Sequence, residues 1–254
     1  MCYNLIIGEV DCFLNIFAIT SGKGGVGKSC VAAYTAAALS LTGKRVLLVE
    51  PGFGFRSLDI ILGVTNSFFC DFSDVMSGRY TPQETIIKSS LWDNVFLLPG
   101  SPTPLPQPPK QQIIEPLLQK LAKDYDVVIV DDVDFRYISP ALFKTIMLIV
   151  TPDYLSVRTE AMHSTALAGV SASEKLRLII NNVPTRVMPM RNVRDFDDII
   201  DIVGAQLIGV IPHSPNLQYS SNNATHIKEN SLTLDIFDNI AARLMGQSRT
   251  LLVR

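Results

Sequence analysis

The sequence predicts a three-layer α/β/α fold, in which helices cover both faces of a mostly parallel β-sheet. Short, continuously apolar runs of strand length alternate with segments whose apolar residues recur every three or four positions. Continuous apolar runs are typical of parallel strands that are buried on both faces. The chain has 254 residues, 47% of them hydrophobic, enough for one sizeable core. We therefore predict a single domain over residues 1–254, with 1–14 as an N-terminal extension and 247–254 as a short C-terminal tail.

The predicted elements follow one another along the chain. Strands are predicted at residues 15–20, 45–50, 95–98, 127–131, 145–150, 176–181 and 207–211. Helices are predicted at residues 31–39, 113–123, 158–170, 195–203 and 232–245. A proline-rich stretch at residues 99–109 interrupts this alternation. Such a stretch predicts a stiff surface connection, with a polyproline segment that docks in an aromatic groove as the alternative.

A glycine-rich segment, Ser-Gly-Lys-Gly-Gly-Val-Gly-Lys-Ser at residues 21–29, connects the first predicted strand to the first predicted helix. Its glycines allow backbone N–H groups to surround a polyphosphate, while Lys28 can neutralise the β- and γ-phosphate oxygens and Ser29 can ligate Mg²⁺. The dipole of the following helix also favours an anion. The segment therefore predicts a P-loop NTPase fold that binds a nucleoside triphosphate with Mg²⁺. The predicted contacts are Gly22, Lys23, Gly24, Gly25, Val26, Gly27, Lys28, Ser29 and Cys30.

A second lysine, Lys23, stands at the mouth of this loop. It cannot easily reach the γ-phosphate of its own nucleotide beside Lys28, but it can reach a nucleotide held by a second subunit. There it would supply positive charge where the transition state builds negative charge, as an arginine finger does. We therefore expect Lys23 to be a catalytic residue and the chain to form a homodimer when the triphosphate is bound.

The sequence KGGVGKS at residues 23–29 resembles the deviant phosphate-binding loop of the MinD/ParA ATPases. Residues 54–63, 74–79 and 96–99 are similar to MinD rather than to ParA, and the resemblance extends from residue 16 to about residue 246. It implies an ATPase that binds ATP or ADP, dimerises with ATP and acts with a regulatory protein. The implied function is spatial regulation of cell division or a related positioning process.

The same resemblance implies further site residues. Asp131 ends the apolar run 127–131 and would hold the water shell of Mg²⁺ together with Ser29. Asn181 matches the asparagine that bonds the adenine edge, and Pro212 matches the segment that lines the base. An asparagine after a strand is also a common turn residue, so that alternative stays open.

The sequence departs from the family pattern where the family carries its hydrolytic groups. Gly52 replaces the aspartate that orients the attacking water, which leaves Glu50 as the candidate catalytic carboxylate. The family pattern D-x-P-A-G reads Asp-Asp-Val-Asp-Phe at residues 131–135, so Phe135 replaces a glycine that meets the γ-phosphate. We therefore expect slow hydrolysis that Gly52→Asp partly restores. The alternative is a pseudo-ATPase, a binding module that recruits a protein partner.

Charge and cysteine content limit the partners. A net charge of −2 gives no global positive field for nucleic acid or anionic lipid, so DNA partitioning of the ParA type would depend on Arg186, Arg191 and Arg194 alone. Four cysteines without metal-type spacing fit a reducing cytoplasm. The tail 247–254 is too short for a stable amphipathic membrane helix, so we expect at most a weak, peripheral association with the inner membrane face. Thr159 replaces an aspartate that contributes to partner contacts in MinD, which leaves the regulatory partner unidentified.

Overall fold

The structure, a computed structural model, describes residues 14–52, 56–102, 110–184, 195–227 and 231–252. The strands of this part are β1 (Ile16–Thr20), β2 (Val46–Val49), β3 (Ile87–Lys88), β4 (Val95–Leu98), β5 (Val127–Val130), β6 (Thr145–Val150), β7 (Leu176–Val183) and β8 (Gln206–Pro212). They form one sheet in the order β3-β4-β2-β5-β1-β6-β7-β8. Within the described residues, only the edge strand β3 runs antiparallel to its neighbour.

Helices cover both faces of this sheet. They are α1 (Lys28–Leu41), α2 (Leu58–Ile61), α3 (Phe72–Met76), α4 (Pro82–Thr85), α5 (Gln111–Asp124), α6 (Tyr154–Ala168), α7 (Phe196–Val203), α8 (Pro215–Asn223) and α9 (Leu232–Leu244). Side chains of β1 alternate between two buried clusters: Phe17 and Ile19 pack with α1 and α9, whereas Ile16 and Ala18 pack with α5, α6 and α7. The prediction of a three-layer fold with a mostly parallel sheet is confirmed.

The predicted strands and long helices are confirmed, with ends that differ by up to four residues. The first long helix begins at Lys28 rather than at residue 31, because its first turn belongs to the glycine-rich loop. Sequence periodicity missed α2, α3, α4 and β3, which are too short to show a period. It also missed α8, which is largely polar. The local signals of this helix are Ser214, whose hydroxyl accepts a hydrogen bond from the Leu217 N–H, and Pro215 in the first turn.

Several sequence predictions fall outside the described residues. These are the N-terminal extension except residue 14, the proline-rich residues 103–109 and the three arginines at positions 186, 191 and 194. Of the tail, residues 247–252 are described and run without helix along the body: the Asn239 side chain donates to the Thr250 carbonyl at 2.8 Å, and Leu251 and Leu252 are half-buried. Among the described helices, none combines the length and apolar character that crossing a membrane requires.

Candidate nucleotide-binding site

The glycine-rich loop leaves the helix that follows it open to an anion. Helix α1 begins directly after Gly27, and no side chain caps its first turn. By contrast, Asp153 caps α6 and Ser231 caps α9 through side-chain hydrogen bonds. Uncapped N–H groups at a helix start need an acceptor, and an anion supplies one. The first turn of α1 can therefore accept an anion, and the predicted phosphate contacts stay a prediction.

Gly27 and Asn181 fit together in a way that only glycine permits. The backbone of Gly27 has φ +93°, and a Cβ added there would lie 2.4 Å from Asn181 Nδ2. The same amide donates to the Val26 carbonyl at 2.8 Å, so β7 is tied to the loop. A side-chain amide carries two N–H donors and an acceptor oxygen, so the Asn181 amide keeps further bonding capacity beyond this bond. Asn181 thus supports the loop in addition to any contact with a base.

A cavity of about 660 Å³ extends from the loop to the ends of β7 and β8. Loops that follow parallel strands meet at one edge of a sheet, the usual position of ligand sites in α/β folds. Eight predicted contact residues line this cavity: Gly25, Val26, Gly27, Lys28, Ser29, Cys30, Asn181 and Pro212. The other predicted site residues, which are Gly22, Lys23, Gly24, Glu50 and Asp131, do not line it.

Lys28 forms an ion pair inside this cavity. Its Nζ lies 3.3 Å from Asp132 Oδ1, and the side chains are 12% and 55% exposed respectively. Asp132 is the second residue after β5, and its backbone has φ +53°, a conformation that aspartate tolerates better than most residues. The sequence alone did not reveal this pair, because Asp132 holds the variable position of the family motif.

Within the described part of the chain, the carboxylate of Asp131 has an unpartnered buried oxygen that could bind a cation. Among the described residues, its Oδ1 is buried and has no hydrogen-bond partner. Burial raises the pKa of Asp131 to about 7; a hydrogen bond from Ser29 lowers it, and the neighbouring carboxylates of Glu50 and Asp132 raise it. Mg²⁺ prefers oxygen ligands and would favour the ionised carboxylate. Ser29 and Asp131 therefore fit Mg²⁺, directly or through its waters.

Lys23 does not line the cavity and pairs within its own chain. Its Nζ lies 3.1 Å from both carboxylate oxygens of Asp153, which follows β6. Burial opposes ionisation of Asp153, but hydrogen bonds from Thr151 and Ser156 and the charge of Lys23 together lower its pKa below the ordinary value. Since both side chains are over a third exposed, the ion pair is weak, and another anion can replace Asp153 as the partner of Lys23.

Glu50 is buried, and its carboxylate is engaged by backbone groups. It accepts hydrogen bonds from the N–H groups of Ser57 at 2.8 Å and Gly100 at 3.3 Å, and burial raises its pKa. Gly52 has φ +76°, and a Cβ there would lie 3.1 Å from Ser101 N. An aspartate at position 52 would thus be strained, so the expectation that Gly52→Asp restores hydrolysis is not supported by this backbone.

Helix α6 holds the start of the loop through Glu160. The buried Glu160 accepts hydrogen bonds from the Ser21 hydroxyl and the Gly22 N–H, both at 2.9 Å. Its other oxygen lies 3.1 Å from Nδ1 of His163, whose ring contacts Phe135. Phe135, which replaces a glycine of the family motif, therefore packs against α6 through His163. No sequence signal marks Glu160, because only the fold brings it to the loop.

Cys30 is expected to resist alkylation, because burial raises the pKa of its thiol from 9.0 to about 11, although a hydrogen bond with Ser221 opposes this shift. Its thiolate is then about a hundredfold scarcer at pH 8 than that of an ordinary cysteine, and the thiolate is the reactive form. We expect iodoacetamide labelling, followed by peptide mass mapping, to rise steadily from pH 8 to pH 10. Labelling of the urea-unfolded chain is the control, and a plateau near pH 9 in the folded protein would contradict the expectation.

The sheet order, the loop and the cavity at the strand ends define a P-loop NTPase fold with an open nucleotide cleft. A profile of the AAA domain family matches residues 14–188. The septum site-determining protein MinD of Synechocystis sp. is 30% identical over 91% of this chain and 90% of its own length. The chain therefore belongs to the MinD family of P-loop ATPases, as its motifs suggested.

Solved structures agree with this assignment. The MinC:MinD cell division protein complex of Aquifex aeolicus contains a chain that is 27% identical to this one, with a TM-score of 0.81. The match spans 94% of this chain and 99% of the Aquifex aeolicus chain. The Pyrococcus horikoshii MinD complexed with Mg-ADP is 22% identical over 91% of this chain and 95% of its own, with a TM-score of 0.75, and supports the fold.

Proposed function

We propose that this chain is a MinD-type ATPase that binds MgATP and MgADP, dimerises with ATP and takes part in positioning cell division. The single observation that carries the proposal is the continuous cavity between the phosphate loop and Asn181 with Pro212. Phosphates would bind at the loop and the first turn of α1, with Mg²⁺ at Ser29 and Asp131. Adenine would lie near Asn181 and Pro212, where the Asn181 amide can pair with its polar edge.

Two features support slow hydrolysis in this proposal. Gly52 offers no carboxylate, and the carboxylate of Glu50 is held by backbone N–H groups outside the cavity. We infer that Glu50 shapes the segment before α2 rather than orienting water. The same observations favour the second candidate function, a pseudo-ATPase whose bound nucleotide controls recruitment of a protein.

A regulatory protein partner is part of the proposal. The Aquifex aeolicus MinD chain was solved in a complex with MinC, so a MinC-type protein is the partner class that this likeness suggests. The exposed Tyr154, Leu155 and Met162 on α6 lie on the same helix as the Glu160 that contacts the loop. Nucleotide state and partner binding could thus be linked through α6.

Calorimetry and phosphate release test this proposal together. We expect the purified chain to bind one MgATP or MgADP, to bind MgGTP more weakly, and to release phosphate at a measurable but slow rate. Slow means about 10²–10⁴-fold below an enzyme with an optimally placed carboxylate. Nucleotide binding without phosphate release would favour the pseudo-ATPase, and absence of binding to any of the three nucleotides would refute the proposal.

A further inference from the structure

The proposed hydrolysis lacks an obvious group to orient the attacking water. Position 52 is glycine, Glu50 is engaged by backbone N–H groups, and Asp131 fits the metal. Among the described residues that line the cavity, Asp132 is the carboxylate side chain. We propose that Asp132 is the catalytic residue that orients and deprotonates the attacking water, an inference that rests on the proposed function.

The backbone holds Asp132 firmly at this position. On one side the Asp131 N–H donates to the Val49 carbonyl at 2.9 Å, and on the other the Val133 N–H donates to the Ile19 carbonyl at 3.0 Å. The Thr20 hydroxyl fixes the Val133 carbonyl at 3.1 Å. The two residues that flank Asp132 are therefore hydrogen-bonded to β2 and β1, and the Asp132 side chain lines the cavity. A catalytic group needs such a fixed base, since about 1 Å of misplacement can cost a hundredfold in rate.

The ion pair with Lys28 places this carboxylate near the γ-phosphate. The lysine of a phosphate loop contacts the β- and γ-phosphates. Its Nζ is 3.3 Å from Asp132 Oδ1 in the nucleotide-free site. When phosphate oxygens replace Asp132 as the ion-pair partner of Lys28, the Asp132 carboxylate remains at the γ end of the triphosphate. There it can accept a hydrogen bond from water. Repulsion from the phosphates favours a position one water molecule away.

The step balances without any further reactant. The water oxygen forms a bond to the γ-phosphorus, while the bond from that phosphorus to the β,γ-bridging oxygen breaks and its electron pair stays on ADP. One water proton stays on the product as hydrogen phosphate. The other proton passes to the Asp132 carboxylate and from there to solvent.

Asp132→Asn tests this role, because asparagine also tolerates a positive φ and keeps the shape of the side chain. We expect the turnover number to fall about 100-fold or more. The Kd for a non-hydrolysable MgATP analogue should stay the same or tighten, since the lysine loses a competing anion. Asp132→Glu, which keeps a carboxylate, should retain part of the turnover. Asp93→Asn, at an exposed aspartate paired with Lys88, is the matched control and should leave both quantities unchanged.

The outcomes separate this inference from the proposed function. If Asp132→Asn binds the analogue more tightly and hydrolyses as fast as wild type or faster, Asp132 is only a counter-ion of Lys28 and the inference is overturned while the ATPase stands. If wild type binds MgATP without any turnover, the catalytic role of Asp132 and the hydrolytic half of the function fail together, and nucleotide binding stands. If wild type binds no nucleotide, both are refuted.

Discussion

Lys28→Ala is expected to weaken MgATP binding by about 100-fold or more. Lys28 is the cation that lines the described cavity, and a hydrogen bond to a charged group contributes about 1.5–3 kcal/mol. At the upper end this alone corresponds to about two factors of ten in Kd. In addition, the substitution would leave Asp132 without its partner at 3.3 Å, so an unpaired carboxylate would face the incoming phosphates. Calorimetry with the purified variant measures the change directly.

The control for this prediction is Lys88→Ala. Lys88 is also paired with an aspartate, but it is half exposed on the edge strand β3 and lies outside the nucleotide cavity. Its replacement should leave the Kd for MgATP unchanged. The double variant Lys28→Ala with Asp132→Asn should recover part of the lost affinity, because it removes the carboxylate that repels the phosphates. Equal affinity of wild type and Lys28→Ala would contradict the assignment of the cavity.

Local patterns explain why the sequence predicted the fold and the phosphate loop. The loop is a contiguous segment whose glycines, lysine and serine act together, and buried parallel strands are continuous apolar runs such as the one at residues 145–150. Neither signal depends on distant parts of the chain. The short helices and β3 were missed because fewer than six residues cannot show a period.

The ion pairs of the site could not be predicted in this way, because they depend on which strands are neighbours. Strand β1 lies between β5 and β6 in the sheet. The residues that follow β5 and β6 therefore meet the loop that follows β1, and this brings Asp132 to Lys28 and Asp153 to Lys23. The contact between Glu160 and Gly22 spans 138 positions. Such pairs need the strand order, which no local pattern contains.

Backbone conformation was the other missing information. The sequence showed that Gly52 lacks a carboxylate, but not that its φ of +76° and its closeness to Ser101 would strain any side chain at that position. The glycine is therefore required by the shape of the chain here, and not only a loss of the family's aspartate. The backbone thus disfavours an aspartate at position 52, whereas Asp132 already lines the cavity with a carboxylate.

Lys23→Ala is expected to remain monomeric under conditions in which the wild type dimerises. In this structure Lys23 pairs with Asp153 of its own chain, and an exposed pair of this kind contributes only about 0–1 kcal/mol. The triphosphate of a second subunit carries several negative charges and can therefore displace Asp153. Sedimentation velocity with a non-hydrolysable MgATP analogue should show a dimer for wild type and a monomer for the variant, with both monomeric in MgADP.

Asp153→Asn is the matched variant for this prediction. Asparagine can still cap α6 by accepting from the Ser156 N–H, as Asp153 does at 2.9 Å, but it lacks the charge that retains Lys23. We therefore expect Asp153→Asn to dimerise at a lower protein concentration than wild type. A monomeric wild type under every nucleotide condition would mean that Lys23 serves only its own chain, and the pseudo-ATPase alternative would gain support.

A complementation experiment determines whether Lys23 acts on the other subunit. Lys23→Ala keeps the cavity lysine and can bind nucleotide, whereas Lys28→Ala keeps Lys23 but is expected to bind nucleotide only weakly. Charge supplied in trans to a phosphoryl-transfer site is worth about 10³–10⁵-fold in rate in the systems where it has been measured. If Lys23 works in trans, a mixture of the two variants should release phosphate faster than either variant alone, because the mixed dimer contains one complete site. If Lys23 works in cis, no mixed dimer contains a complete site, and the mixture should be as inactive as its components.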